Sequence, residues 1–260
     1  MFTFCLHSRH LEKIEALNYT PVGLGNNNFP PSCLRDNTGD NISNKNKYYS
    51  ELTFHYWFWK NMIDKIDDDK WIGFSHYKYF WKNLNNNENQ LNKNFLNKIP
   101  DSWGIYETIL GEKIILNDIK FLKIIKNGGL AFLFDRRTYF KKKRNIEFHF
   151  EIFHGTDVIN EALEFLDEEN KKDFKTFLQE NNSYHKWNMF ICKSKKKMKS
   201  FYKLLFDWLL KCEKKFGFEL QGYGKARIYG FLAERFMSYW FSKNTIYKEH
   251  PLFYCDLDKA

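Results

Sequence analysis

No stretch of this 260-residue chain approaches the roughly 18 consecutive apolar side chains of a membrane-crossing helix, so no helical span is expected. Cysteine is sparse. Cys5, Cys33, Cys192, Cys212 and Cys255 are odd in number and show no CxxC or Cys/His metal spacing, which fits reduced thiols in a cytosolic protein. The opening MFTFCLHSRHLEKIEAL has no charged start leading into a sustained apolar stretch, so it does not read as a signal peptide. Finger, helix-turn-helix and RNA-recognition signatures are also missing, and with them any sequence-level reason to expect nucleic acid as a partner. No repeat is visible and no linker divides the chain. The expectation is a soluble cytoplasmic protein built as one domain over residues 1–260.

What is present is a core. Hydrophobic residues make up 43% of the chain and aromatics 19%, a composition that folds without staples. The net charge of +9 is densest in KKKR at 141–144 and KSKKKMK at 193–199. Two local clusters fit a surface patch for anionic head groups or phosphorylated small molecules, or simply a solvated face.

The order of elements reads as α/β. FTFCLHS at 2–8 is a first strand, and YTPVGLG at 19–25 is a second extended piece. NNNFPPSCLRDNTGDNIS is a loop whose Asn41 and Ser43 can cap a helix, and from Lys45 the spacing of Tyr48, Leu52, Tyr56 and Trp59 predicts one helix. A strand from Trp71 to Phe74 follows, with Ser75, His76, Tyr77 and Lys78 at its C-terminal end, where ligands sit in open α/β sheets. The block 83–94 is an insertion candidate. YETILGEKIIL and GLAFLF read as short strands, residues 157–179 as a helix, HKWNMFICK as a further strand, and the segments after it as two long helices.

Three constellations could carry chemistry. The first is the loop with Asp36, Asn37, Asp40, Asn41, Ser43 and Asn46 at a helix start, where free N–H groups favour anions; turn and cap chemistry alone accounts for about half of these residues. The second is GFSHYKY, four consecutive hydrogen-bonding side chains at a strand end. The third joins Asn188, a polar residue in an apolar run, to Arg227, Glu234 and Arg235, with Arg227 and Glu234 seven residues apart and on one face of a continuous helix.

The segments RDNTGDNISNKNKYYSELTFHYWFWKN, WIGFSHYKYFW, HKWNMFICK and ARIYGFLAERF resemble the ordered motifs of bacterial proteins catalogued as domain of unknown function 4422. Members are found as glycosyltransferases of capsular and exopolysaccharide synthesis, and the likeness runs from about residue 2 to 242. It implies an α/β, GT-A-like, Rossmann-type domain with a mixed central sheet flanked by helices. The donor nucleotide-binding half would cover about 1–82 and the acceptor and catalytic half about 100–245. The implied reaction moves a hexose or hexofuranose from a nucleotide sugar, by analogy UDP-linked, onto a capsular, lipooligosaccharide or exopolysaccharide glycan. The alternative is a non-catalytic sugar-binding homologue.

Carried onto this chain, the resemblance implies Glu234 as catalytic carboxylate with Asp157 second. It implies donor binding by Asp40, Asn41, Ser43, Asn46, Glu51, His76, Tyr77, Lys78, Arg227 and Arg235, and acceptor binding by His185 and Asn188. The family pattern His-Tyr-Arg-Arg is His-Tyr-Lys-Tyr here, which replaces a bidentate arginine grip with a point charge and a phenol. No Asp-x-Asp stands at this strand end. Metal dependence is left open; the ions expected are Mg²⁺ or Mn²⁺, with His76 the candidate ligand. The basic clusters would hold the protein at the anionic inner face of the cytoplasmic membrane, where lipid-linked acceptors lie.

Overall fold

The computed structural model describes residues 1–84 and 94–259; within the insertion candidate, residues 85–93 lie outside them. Among the described residues the strands are β1 (Phe2–Cys5), β2 (Thr20–Gly23), β3 (Leu34–Arg35), β4 (Ile72–His76), β5 (Tyr79–Trp81), β6 (Thr108–Gly111), β7 (Lys113–Ile115), β8 (Ser183–His185), β9 (Phe190–Cys192), β10 (Tyr247–His250) and β11 (Leu252–Tyr254). The helices are α1 (Leu11–Glu15), α2 (Asn46–Tyr49), α3 (Leu52–Asn61), α4 (Phe121–Gly128), α5 (Arg136–Tyr139), α6 (Ile146–His154), α7 (Val158–Leu163), α8 (Glu168–Glu180), α9 (Lys195–Phe216), α10 (Tyr223–Ala226) and α11 (Ile228–Asn244). Short 3-10 turns join several of them.

Seven strands form one mixed sheet in the order β10-β6-β9-β4-β1-β2-β3. Every neighbouring pair is parallel except those made by β9, which runs against β4 and β6. That reversal positions the rest. The residues leading into β9 arrive at the same sheet edge from which β1, β2 and β4 depart, so the 186–189 turn meets the end of β4.

The core is aromatic. Phe74 on β4 is fully buried and touches the rings of Phe2, Phe4, Phe54, Phe58 and Phe190, which ties the sheet to α3. Helix α9 begins at Ser194, whose side chain caps Lys197 N–H, and it buries Met198, Phe201, Tyr202, Leu205, Phe206, Trp208, Leu209 and Cys212 on one stripe. Helix α11 is buried on nearly every side and crosses the middle of the molecule. No helix among the described residues is long and apolar enough to cross a membrane.

Several elements depart from the expectations. The helix predicted from Lys45 breaks at Ser50, which takes φ +53°, because the Asn46 amide and the Thr53 hydroxyl both donate to the Ser50 carbonyl. GLAFLF is not a strand: Leu130–Phe134 forms a 3-10 turn after Gly129 at φ +89°, with Phe132 alone tucked inward against α6. The 157–179 helix is two, since Asp167 caps Asn170 N–H and starts α8 afresh. HKWNMFICK splits into β8, a turn and β9. The C-terminal strands β10 and β11 were not foreseen, and β10 closes one edge of the large sheet.

Two histidines belong to the core. His55 donates Nε2–H to the Asn188 carbonyl and accepts at Nδ1 from the Tyr202 hydroxyl; burial lowers its pKa to about 3. His185 is likewise fully buried, bonded to the Ser238 hydroxyl and facing Glu249, and burial lowers its pKa to about 4.

Truncating Phe74→Ala removes the ring shared by β4, β1 and α3 and is expected to cost about 3–5 kcal/mol in urea unfolding; a loss below about 1 kcal/mol would contradict this packing account. The two neutral histidines set a pH dependence. Both have folded pKa values depressed below the unfolded value of about 6.5, so the stability they contribute is present above that pH and falls as pH drops towards about 4. Each contributes a slope of up to about 1.4 kcal/mol per pH unit there, and His55→Gln should flatten the measured curve.

Candidate active site

A cleft opens where β1, β2 and β4 end. Its first lobe, about 760 Å³, is lined by Phe4 and Leu6 after β1, Leu24 after β2, His76 to Tyr79 after β4, and Asn46, Ser50 and Glu51 from the α2–α3 break. The second lobe, about 720 Å³, shares Ser50, Glu51, His76, Trp187, Tyr223 and Arg227 with the first and continues past Lys186 to Gly230, Phe231 and Glu234. This is the crevice beyond the carboxyl ends of parallel strands where α/β proteins bind ligands.

The turn before β9 organises the floor. Trp187 and Asn188 both occupy the left-handed region, at φ +72° and +49°, without a glycine between them. Such residues cost of order 1–3 kcal/mol each and persist only where the surroundings hold them. Besides the bond from His55 to the Asn188 carbonyl, four bonds do so here. Trp187 N–H donates to Glu234 Oε1 at 3.0 Å; His76 Nε2 donates to the Trp187 carbonyl at 3.1 Å; the Asn188 amide donates to Glu51 Oε1 at 2.7 Å and to the Gly230 carbonyl at 3.2 Å. Glu51, His76 and Glu234, far apart in sequence, are thereby gathered around one turn. His76 Nε2 also lies 3.9 Å from Glu51 Oε1.

Glu234 is nearly buried. Burial raises its pKa to about 7, the Arg235 guanidinium 3.0 Å away opposes that shift, and the Glu51 carboxylate adds to it. Arg235 is itself held below the cleft floor, stacked on Tyr184 and donating to Glu234, the Phe231 carbonyl and His149 Nδ1. His154 gives Nδ1–H to the Gly224 carbonyl, which turns its lone pair at Nε2 towards Arg235. Burial and this cation keep His154 neutral, with a pKa lowered to about 3.

Positive charge at the rim comes from Lys78, Lys186 and Arg227; among the described residues none of the three pairs with a carboxylate. Lys186 sits 3.6 Å over the Trp187 ring, which in turn stacks on Tyr79, and burial lowers its pKa. Arg227 lies against Tyr223 just before α11. The Tyr79 phenol that stands in place of the second arginine of the family pattern is thus a stacking partner in the cleft wall.

The other expected site residues fall elsewhere. Ser75 points into the sheet and bonds Thr3 Oγ1 at 2.8 Å. Asp40 and Asn41 stay in the exposed outer loop: Asp40 is clasped by Asn61 and Tyr56, and Asn41 takes the N–H and hydroxyl of Ser43. These three form a turn and do not line the cleft. Asn46 does line it, but its amide is spent on Ser50 and Thr53. Asp157 is exposed at the left-handed start of α7, outside the cleft lining. Arg235 is buried beside Glu234 and lines neither lobe of the cleft. His185 and Asn188 are also buried with their polar atoms engaged, and they position neighbours instead of facing the cleft.

Lys186, Trp187, Ser50 and Tyr223 were missed. HKWNMFICK did carry a signal, polar residues breaking an apolar run, but read as a strand it hid the turn. No three His, Cys, Asp or Glu side chains among the described residues converge as metal ligands; Glu51 and His76 offer two. The chemistry below is derived from the chain's own donors and charges.

A search of curated proteins returns no match. Among solved structures, the apo form of the bifunctional glycosyltransferase WbbM is similar, with a TM-score of 0.63 at 21% identity over 97% of this chain. This chain spans 44% of that protein, and the likeness shows that the two share a mixed α/β fold with a central sheet flanked by helices. The family model described as "Domain of unknown function (DUF4422)" matches residues 3–245, and the chain belongs to that family.

Proposed function

We propose that the protein is a hexosyltransferase: it moves a hexose or hexofuranose from a nucleoside diphosphate sugar, UDP-linked, onto a growing capsular, lipooligosaccharide or exopolysaccharide glycan. The observation that carries this reading is Glu234, a nearly buried carboxylate with a pKa near 7, held by a backbone N–H at the floor of a cleft rimmed by Lys78, Lys186 and Arg227. A fold shared with a glycosyltransferase supports it.

In this account the nucleotide occupies the first lobe, against Leu6, Leu24 and Tyr77, with the diphosphate between His76, Lys78 and Arg227. The sugar lies over Trp187 in the second lobe. Transfer breaks the bond between the anomeric carbon and the diphosphate oxygen and forms one to the acceptor oxygen. The acceptor proton passes to Glu234, and the charge growing on the diphosphate is met by Arg227, Lys78 and Lys186. Glu51, bonded to Asn188, keeps Glu234 basic enough for that role. Donor half, about 1–82, and acceptor half, about 100–245, work as one unit because β4 and β9 pair across them.

Glu234→Gln keeps the shape and the Trp187 bond but cannot take a proton, so kcat should fall about 10²–10⁴-fold while donor affinity changes little. The base must be ionised to act, so wild-type kcat/KM should rise with pH through about 7. Unchanged turnover in the variant would remove Glu234 from the chemistry and favour a non-catalytic homologue. Donor placement is tested by thermal shift with a panel of nucleotide sugars. The cognate donor at about 100 times its Kd should stabilise the wild type by about 2.7 kcal/mol, and His76→Ala and Arg227→Ala should each lose most of that gain. Equal stabilisation of all three proteins would place the donor elsewhere.

A further inference from the structure

The excess positive charge of this protein is concentrated in one segment. Residues 117–144 carry nine Lys and Arg against two Asp, which is seven of the chain's net nine positive charges. In the other basic run, 193–199, Lys195 pairs with Asp68, Lys199 pairs with Asp64, and Lys197 donates to the Asn244 carbonyl.

The same segment is also where apolar side chains face water. Among the described residues, six of the twelve exposed large apolar side chains, Phe121, Leu122, Leu130, Phe134, Tyr139 and Phe140, fall within residues 121–140. Leu122 is 79% and Phe134 90% exposed. The elements that carry them adjoin: Phe121 on α4 contacts Tyr139 on α5 at 5.9 Å between ring centres, and Tyr139 bonds the Leu133 carbonyl next to Phe134. Beneath them Ile124, Phe132, Phe148 and Ile152 form a small separate core that fixes this surface to α6. The outward apolar groups therefore stand on a rigid base with cations at Lys120, Lys126, Arg136, Lys142 and Lys143 among them.

Apolar side chains interleaved with unneutralised lysines match an interface that is apolar inside and anionic at its surface. A soluble anionic partner would leave Leu122, Leu130 and Phe134 unused, and a second copy of this chain would set like charges face to face. We propose that the 120–143 surface docks on an anionic lipid bilayer, with Leu122, Leu130 and Phe134 entering the acyl boundary and Lys126, Lys142 and Lys143 meeting the head groups. Lys123 and Asn127 on the same helix line a cavity of about 920 Å³ whose wall includes Phe231 and Glu234. On the sugar-transfer reading, this cavity leads a bilayer-borne acceptor to the proposed base from the side away from the donor.

Vesicle flotation tests the docking directly and independently of turnover. Wild-type protein should float at least about tenfold more with phosphatidylcholine vesicles containing about one-third phosphatidylglycerol than with phosphatidylcholine alone, and added salt should weaken the binding. Leu122→Ser/Leu130→Ser/Phe134→Ser, with unchanged melting temperature, should lose at least about tenfold in binding. Lys142→Glu/Lys143→Glu should lose a similar amount on the anionic vesicles only. Equal flotation of the apolar triple variant and the wild type would overturn the proposal. So would failure of the wild type to bind, or a dimer in sedimentation that the triple variant dissociates.

Discussion

The arrangement of the cleft depends on one strained turn. Trp187 and Asn188 are left-handed without being glycines, and the conformation exposes a backbone N–H to Glu234, a carbonyl to His76, another carbonyl to His55 and an amide to Glu51. The turn exists because β9 alone runs against the rest of the sheet, which brings its leading residues to the edge where β4 ends. Strain, sheet topology and carboxylate placement are therefore one constraint. A relaxed turn would leave Glu51 and Glu234 as two unconnected acids on separate helices.

Around that turn the molecule holds charges in unusual states. Arg235 is fully buried and is made tolerable by Glu234, the Tyr184 ring and two imidazoles that accept from it. Burying Glu234 beside Glu51 pushes its proton affinity towards neutrality, and Arg235 limits how far. A carboxylate balanced in this way can exchange a proton near physiological pH, which an exposed glutamate with its ordinary pKa of about 4.3 does poorly. Among the described residues Lys78 and Arg227 make no ion pair with a carboxylate, which leaves them available to an anionic ligand.

Much of this could be read in the sequence, and the rest was hidden for identifiable reasons. The end of β4 was legible because an apolar strand running into His76, Tyr77 and Lys78 is an abrupt change of chemistry, and Glu234 was legible from its seven-residue spacing after Arg227 in a helical segment. The break at Ser50 was not legible. No glycine or proline marks it, and its φ of +53° is imposed by the side chains of Asn46 and Thr53. The 187–188 turn was hidden in the same way, since it is held by partners about 50 to 140 positions distant in sequence. Asp40, Asn41 and Ser43 misled in the opposite sense: their density read as a binding loop, and they bond to one another and to Asn61 and Tyr56 instead. Gly25 is the clearer mark in that region, at φ +59° and so close to Asn46 that a Cβ would sit 2.8 Å from it.

The most direct test of the account is a crystal structure with the cognate nucleoside diphosphate sugar bound, or with its uridine diphosphate product. The account predicts the diphosphate between His76, Lys78 and Arg227, with the anomeric carbon above the Trp187–Asn188 turn and on the Glu234 side. A nucleotide bound away from the ends of β1, β2 and β4, or one whose sugar is walled off from Glu234, would contradict it.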